Sequence, residues 1–407
     1  MHNLNIVFKK YSFLLFFILL FDSCSGLPKT YLEQQQLTPD ERVIFNQKVF
    51  DSAWKRVNTV YYDQTFNGKD WVLLGDKYRD EAVSAADTDK LYEVINKMLA
   101  ELEVSHLFAR RNARKDITDS SKKKGAIGLI ATIVQEKIYI STVLPDSPAS
   151  KAGVQKGWLL VGRNGVKFSD SKNADLYTIA GEAVTFDFLD QYDHPRSLRI
   201  IPVKPDKIQL VEAHELNNGF LYLKMPSFGK QSVNLLRKKL EEYSDTRGLV
   251  FDLRSNTGGS SYYKRVAVGH FFPDNIEMGT YVTRKGKEIE EESVDFLAFN
   301  YDKPMVILVN SISLSAAEIF THILQFHHRA TVIGQKTAGA VLTAQTFNLP
   351  DGGEIMVPKN DYIGLNGERL EGAGVVPDIE LPEATLDELR AGKDRDLEIA
   401  LEILSDN

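Results

Sequence analysis

Apolar positions recur at three- and four-residue spacing in the part of the chain that follows a hydrophobic leader, and the spacing predicts helices. Phe45, Val49, Phe50, Ala53, Trp54 and Val57 fall on one face. Thr38-Pro39-Asp40-Glu41 opens that helix, with a Thr cap, a Pro at the first helical position and an acid at the third, which together make a capping box. Leu91, Val94, Ile95, Met98 and Leu102 predict a second helix over about 87–103. From Gly125 to about Val203 the pattern changes to short β-rich runs at 127–134, 137–143, 184–189 and 197–201, separated by turn residues. Beyond Lys204, strand candidates at 219–223, 248–253, 305–309 and 331–333 alternate with helices at about 229–243, 260–271 and 315–328. Such alternation implies a layered α/β domain, with functional residues at strand-to-helix junctions.

The leader itself is an address. Lys9 and Lys10 precede the apolar run 13–21, which is too short for a membrane span and suits an export signal. Asp22-Ser23-Cys24 follows, and a lone cysteine at this place resembles the lipidation site of bacterial lipoproteins; the alternative is an incidental cysteine in a discarded signal. The expectation is an exported chain held to a membrane by a lipid on Cys24 and facing the periplasm. Cys24 is the only cysteine, which excludes an intramolecular disulfide, a thiolate zinc cluster and a Cys-pair redox motif. With 407 residues and 43% hydrophobic content the chain has room for two or three folded domains. Its net charge of −7 gives no footprint for nucleic acid. A basic stretch from Arg110 to Lys124 reads as a solvated linker.

Two junctions carry candidate chemistry. Ser315, in Asn310-Ser311-Ile312-Ser313-Leu314-Ser315-Ala316-Ala317-Glu318, sits at a helix N-terminus where free N–H groups favour a developing oxyanion. Ser315-x-x-Glu318 is also a capping box, so by itself the position is as well explained by capping. Arg254-Ser255-Asn256-Thr257-Gly258-Gly259-Ser260 follows the strand at 248–253, and paired glycines let backbone N–H groups approach a substrate. His327 and His328 are adjacent, so on a helix they diverge by about 100° and do not face one metal ion. No metal or cofactor is expected.

Ala126-Ile127-Gly128-Leu129, Pro145-Asp146-Ser147-Pro148-Ala149 and the run from Ala152 to Leu160, ending in Asn164-Gly165, resemble a PDZ domain. By that resemblance, Ala126, Ile127, Gly128 and Leu129 form the loop that holds a peptide's terminal carboxylate. Asp252-Leu253-Arg254-Ser255-Asn256-Thr257-Gly258-Gly259 and Ser313-Leu314-Ser315-Ala316-Ala317-Glu318 resemble motifs of the C-terminal-processing (tail-specific) serine peptidases and their tricorn-protease relatives. The resemblance implies a ClpP/crotonase-like α/β layered core at 205–407, an N-terminal helical domain at 25–118 and an inserted β-rich PDZ domain at 119–204, after the export signal 1–24. It makes Ser315 the nucleophile, with an oxyanion hole from the N–H groups of Ala316 and of Gly258 or Gly259.

The Ser-Lys branch of the family carries its base in a Gly-Lys-Gly element, and here Ala340 stands at the Lys position while Lys336 lies four residues early. The tricorn-like branch instead uses a Ser-His pair and a Glu, which Ser105-His106 and Glu371 resemble. On that pattern His106 is the base, oriented by Ser105 and Glu371. The expected substrates are polypeptides, gathered by their C-terminal tails. The competing reading is a non-catalytic PDZ-containing binding lipoprotein with a decayed peptidase core. Acyl-thioester chemistry on a similar core is weaker, because nothing resembles a nucleotide-phosphate cradle.

Overall fold

The computed structural model describes residues 31–111, 124–134, 136–168, 176–208, 211–294 and 300–406. The leader, Cys24 and most of the basic stretch lie outside the described residues.

The predicted first helix forms as Pro39–Val60, capped by Thr38, whose N–H and hydroxyl both bond Glu41. Thr88–Ala100 is the second. Between them runs Trp71–Val83, which apolar spacing did not foretell. Its inward positions are Trp71, Gly75 and Ala82, while Val72 and Leu73 face solvent, so no stripe of large apolar residues marks it. Gly75 is small because a Cβ there would lie 2.4 Å from the Trp54 indole. Trp54 and Trp71 stack, and each indole N–H donates to the other residue's carbonyl.

The helical layer shares its core with distant parts of the chain: Leu342, Leu349, Ile355 and Val357 pack among Phe50, Val94 and Met98. A short strand, Phe108–Arg110, seals this junction by pairing antiparallel with Glu354–Ile363. Glu354–Ile363 also pairs with Thr343–Asn348 and Glu277–Thr283, and Glu288–Glu292 lies outermost. The resulting five-stranded antiparallel sheet carries the end of the helical segment to the α/β layer.

That layer is a mixed six-stranded sheet in the order Ile379–Glu380, Thr331–Gly334, Met305–Val309, Leu249–Asp252, Leu221–Lys224 and Glu212–Glu215, of which all but the last run parallel. Met305–Val309 is apolar throughout, and Leu249–Asp252 up to its last residue, because both faces are covered. Phe251, Ile307 and Val309 point to a cluster with Phe228, Phe271 and Phe320. The alternate residues Val250, Val306 and Leu308 meet Ala400 and Leu404 of the terminal helix Arg395–Asp406 on the other side. Helices Lys230–Glu242, Ser261–Gly269 and Ala316–Phe326 form where alternation placed them.

The β-rich stretch builds a separate antiparallel sheet around Ile140, Trp158, Phe186 and Phe188. Its order is Leu129–Val134, Lys137–Val143, Leu159–Arg163, Val184–Leu189 and Pro195–Ile200, with Val166–Lys167 beside Leu159–Arg163. Leu129–Val134 is therefore an edge strand.

Candidate active site

The turn after Leu249–Asp252 is fixed by buried polar groups. Asp252 is fully buried and accepts from the Arg254 backbone N–H at 2.9 Å, from the Arg254 guanidinium at 3.0 and 2.8 Å, and from Tyr222 Oη at 2.6 Å. Burial opposes its ionisation, but Arg254 and Lys224 outweigh burial and hold the carboxyl well below the usual range. Asn256, also buried, donates to Met225 O at 2.7 Å and accepts the Gly258 N–H at 2.9 Å. Its own carbonyl accepts the Leu314 N–H at 2.9 Å, which joins this turn to the next one. Gly258 and Gly259 have φ of +83° and +146°. A Cβ on Gly258 would lie 2.6 Å from the Ser315 Cβ, and one on Gly259 would lie 2.6 Å from Phe228 O. Of the two N–H groups, that of Gly258 is spent on Asn256, whereas that of Gly259 meets no acceptor among the described residues.

Ser315 stands on the second turn with φ 57° and ψ −118°. Ordinary caps are extended, as Thr38 is at φ −65° and ψ 161°. For a residue with a Cβ the Ser315 conformation costs about 1–3 kcal/mol and persists only where the surroundings enforce it. Glu318 does the enforcing. This fully buried carboxylate accepts the Ser315 N–H at 3.0 Å, Thr337 Oγ1 at 2.6 Å, and the N–H groups of Gly339 and Ala340 at 2.6 and 2.8 Å. Burial raises its pKa while those four donors act against the rise. The Ser-x-x-Glu spacing, legible as a capping box, thus binds the Ser315 turn to the 337–340 loop. Ala316 begins the helix, and its N–H, like that of Gly259, has no acceptor among the described residues.

His106 arrives from the helical layer, just before the strand Phe108–Arg110, with φ 57°. Its Nδ1 lies 2.7 Å from Ser105 Oγ. Ser105 Oγ donates to Glu371 Oε2 at 3.0 Å and Ser105 N donates to Oε1 at 2.8 Å. Glu371 is itself fixed by the N–H groups of Val341 and Leu342, at 2.9 and 3.3 Å. A hydroxyl has one proton; once Ser105 gives it to Glu371, its oxygen accepts from Nδ1–H. The tautomer that satisfies this chain leaves Nε2 as an open acceptor. Burial lowers the His106 pKa, and the Glu371 charge partly restores it. His106 and Ser315 line one cavity of ≈ 400 Å³, together with Thr257, Gly259 and Ala316.

The Gly334–Ala340 stretch brings no lysine to the cavity: position 340 is an alanine, half-buried with its N–H on Glu318, and Lys336 is exposed and outside the lining. A different lysine, Lys264, lines the cavity, and sequence reasoning missed it. The available signal was helical phase, which sets Lys264 on the same face as Ser261, Ala267 and Val268.

In the β-rich sheet, Ala126 exchanges backbone bonds with Val203, whereas the N–H groups of Ile127 and Gly128 meet no acceptor among the described residues. Gly128 has φ +79°, and a Cβ there would lie 2.2 Å from the Ser147 side chain. Leu129 continues this loop into the edge strand.

Comparison with known proteins agrees with this layout. The model of peptidase family S41 matches residues 219–381, and that of the tricorn protease C1 domain matches residues 46–100. The carboxyl-terminal-processing protease of Synechocystis sp. is 27% identical over 379 residues, covering 88% of this chain and 87% of that protein. Its counterpart in Picosynechococcus sp. is 26% identical over 388 residues, covering 90% and 92%. Among solved structures, the photosystem II D1 C-terminal processing protease superposes with a TM-score of 0.57 at 23% identity, over 88% of this chain and 97% of that one. The tricorn protease gives 0.55 at 18% identity, over 89% of this chain and 37% of its own. N-terminal helices, antiparallel sheets and a mixed parallel α/β sheet are common to these folds; residues 219–381 are a peptidase family S41 domain and residues 46–100 a tricorn C1 segment, which makes the chain a serine-type peptidase of the C-terminal-processing kind.

Proposed function

We propose that this peptidase is a tail-specific endopeptidase of the cell envelope, anchored through Cys24, in which Ser315 is the nucleophile, His106 its base, and Ser105 and Glu371 the groups that orient the base. One observation carries the reading: the Glu371–Ser105–His106 chain of hydrogen bonds ends at the cavity that Ser315 lines. His106 Nε2 takes the Ser315 proton as Oγ attacks the scissile carbonyl, and returns it to the leaving amine. The N–H groups of Gly259 and Ala316 receive the oxyanion, while the Ser105–Glu371 pair stabilises the imidazolium. Water then hydrolyses the acyl-enzyme by the same relay. Absence of the family's Lys at 340, the best argument for a decayed core, is met by this second base. A fluorophosphonate probe applied to fractionated cells is expected to modify the membrane-bound chain at Ser315. Modification of another residue, or of none, removes Ser315 from its role, and label found only in the cytosol removes the envelope location.

The β-rich sheet acts as a PDZ domain in this reading. An extended peptide adds along the edge strand Leu129–Val134, and its terminal carboxylate meets the Ile127 and Gly128 N–H groups. Ala126 holds the loop against Val203 and contributes no donor, while Leu129 begins the receiving strand. Calorimetry on the full chain is expected to show tails with a free carboxylate binding about 10- to 100-fold more tightly than their amides, the range for charge-assisted hydrogen bonds. Equal affinities would remove tail capture and leave the peptidase untouched.

A further inference from the structure

The cavity beside Ser315 contains polar groups that the proposed mechanism leaves idle. Lys264, on the helix Ser261–Gly269, lines it and is 0% exposed. Its ammonium donates to Tyr281 Oη at 3.0 Å and to the Glu291 carboxylate, both on the hairpin Glu277–Thr283/Glu288–Glu292. The rings of Tyr281 and Tyr362 flank Nζ at 5.4 and 5.8 Å. Burial disfavours the ammonium, but Tyr281 and Glu291 outweigh burial and raise the pKa above that of an ordinary lysine. Lys264 is therefore a standing cation and no substitute base for Ser315.

Its donors are incompletely used. An ammonium has three protons, and two are taken among the described residues. The Tyr281 hydroxyl accepts from Lys264 and has no acceptor for its own proton there. Among the described residues, neither Glu291, the counter-charge, nor any other carboxylate lines the cavity. The lining instead has two basic side chains, Lys264 and His106, the hydroxyls of Ser260, Ser261 and Thr343, and the first turns of two helices whose N–H groups carry the positive end of the dipole.

We propose that Lys264 and Tyr281 form a carboxylate-selective subsite next to Ser315, so that the enzyme cuts beside an acidic group of its substrate. The carboxylate is carried either by an Asp or Glu side chain flanking the scissile bond or by the chain end itself. The assignment rests on Ser315 as nucleophile for its meaning in cleavage, but not for its meaning in binding. A purely structural Lys264–Glu291 pair would fasten the helix to the hairpin and give no such preference.

The test uses the full chain and two peptide pairs. One pair has amidated ends and carries Glu or Gln at the residue flanking the cut; the other has neutral side chains and a free or amidated end placed at that position. Wild-type kcat/KM is expected to favour the acid over its amide by about 10- to 100-fold in one pair, and that pair identifies the source of the carboxylate. Lys264→Met combined with Glu291→Gln, which avoids leaving a lone buried charge, is expected to bring the ratio close to one. Should that variant fail to fold, Tyr281→Phe removes only the hydroxyl and is expected to shrink the ratio several-fold. No acid preference in wild type, or the same preference in the variants, overturns the subsite; a structural pair alone would lower melting temperature without moving the ratio. The same pairs titrated calorimetrically into Ser315→Ala separate the two claims. Acid-selective binding by Ser315→Ala upholds the subsite whatever becomes of the nucleophile assignment; turnover that Ser315→Ala abolishes, with no acid-selective binding, upholds the nucleophile and removes the subsite.

Discussion

Ser315→Ala is expected to lower kcat on a peptide substrate by on the order of 10⁶-fold, the scale on which deleting a serine nucleophile acts, leaving only what binding and the oxyanion donors supply. The fold should be undisturbed. Glu318 holds residue 315 through its backbone N–H, which alanine keeps, and the positive φ is no worse for alanine than for serine. Far-UV circular dichroism and thermal melting close to wild type, beside lost turnover, is the expected pair of results. A Ser315→Ala enzyme that still turns over at the wild-type rate ends the serine assignment.

His106→Ala is expected to cost about 10²- to 10⁴-fold in kcat, the usual effect of losing a positioned base. Lys336→Ala should leave kcat near wild type, because Lys336 is exposed and removed from the cavity lining. The pH profile carries a sign that distinguishes the bases. A working base is the neutral imidazole, and burial depresses the His106 pKa. The acid limb of kcat/KM therefore lies below the ordinary histidine value of about 6.5, with activity lost as pH falls through it. Glu371→Gln deletes the charge that opposes the depression, so the limb moves to still lower pH while kcat falls from a misoriented imidazole. A limb that moves upward in Glu371→Gln, or an inactive Lys336→Ala beside an active His106→Ala, would assign the base elsewhere.

How far the chain could be read before its structure was known depended on where each residue's neighbours come from. The capping box at Thr38 and the strands at 249–252 and 305–309 involve local spacing and continuous apolar runs, and both were legible. Trp71–Val83 was not, since it buries glycine and alanine against tryptophan and exposes Val72 and Leu73. The five-stranded antiparallel sheet escaped for a related reason. Phe108–Arg110 has three residues and exists through pairing with Glu354–Ile363 far along the chain, while Glu288–Glu292 reads Glu-Ile-Glu-Glu-Glu and is held in a hairpin with Glu277–Thr283, so neither has a strand's composition. Ser105, His106, Glu371 and Ser315 were candidates through motif resemblance, and the structure brings the first three into one hydrogen-bonded chain and lines one cavity with His106 and Ser315. The choice between Gly258 and Gly259 needed the Asn256 side chain, and Lys264 needed a tertiary partner, Glu291, to stand out from any other helical lysine.

The pairing of Phe108–Arg110 with Glu354–Ile363 has a consequence for when the enzyme becomes active. The proposed base and nucleophile come from stretches about two hundred residues apart, and this small seam, with the shared core and the Ser105–Glu371 bonds, joins the stretch that carries His106 to the rest of the chain. A nascent or partly folded chain in which the seam has not closed displays Ser315 with no imidazole near it, and an unassisted serine hydroxyl is a poor nucleophile. On the proposed roles, hydrolytic competence then doubles as proof of complete folding: a chain not yet folded is harmless to its neighbours, and a chain whose helical layer is torn away by proteolysis disarms itself.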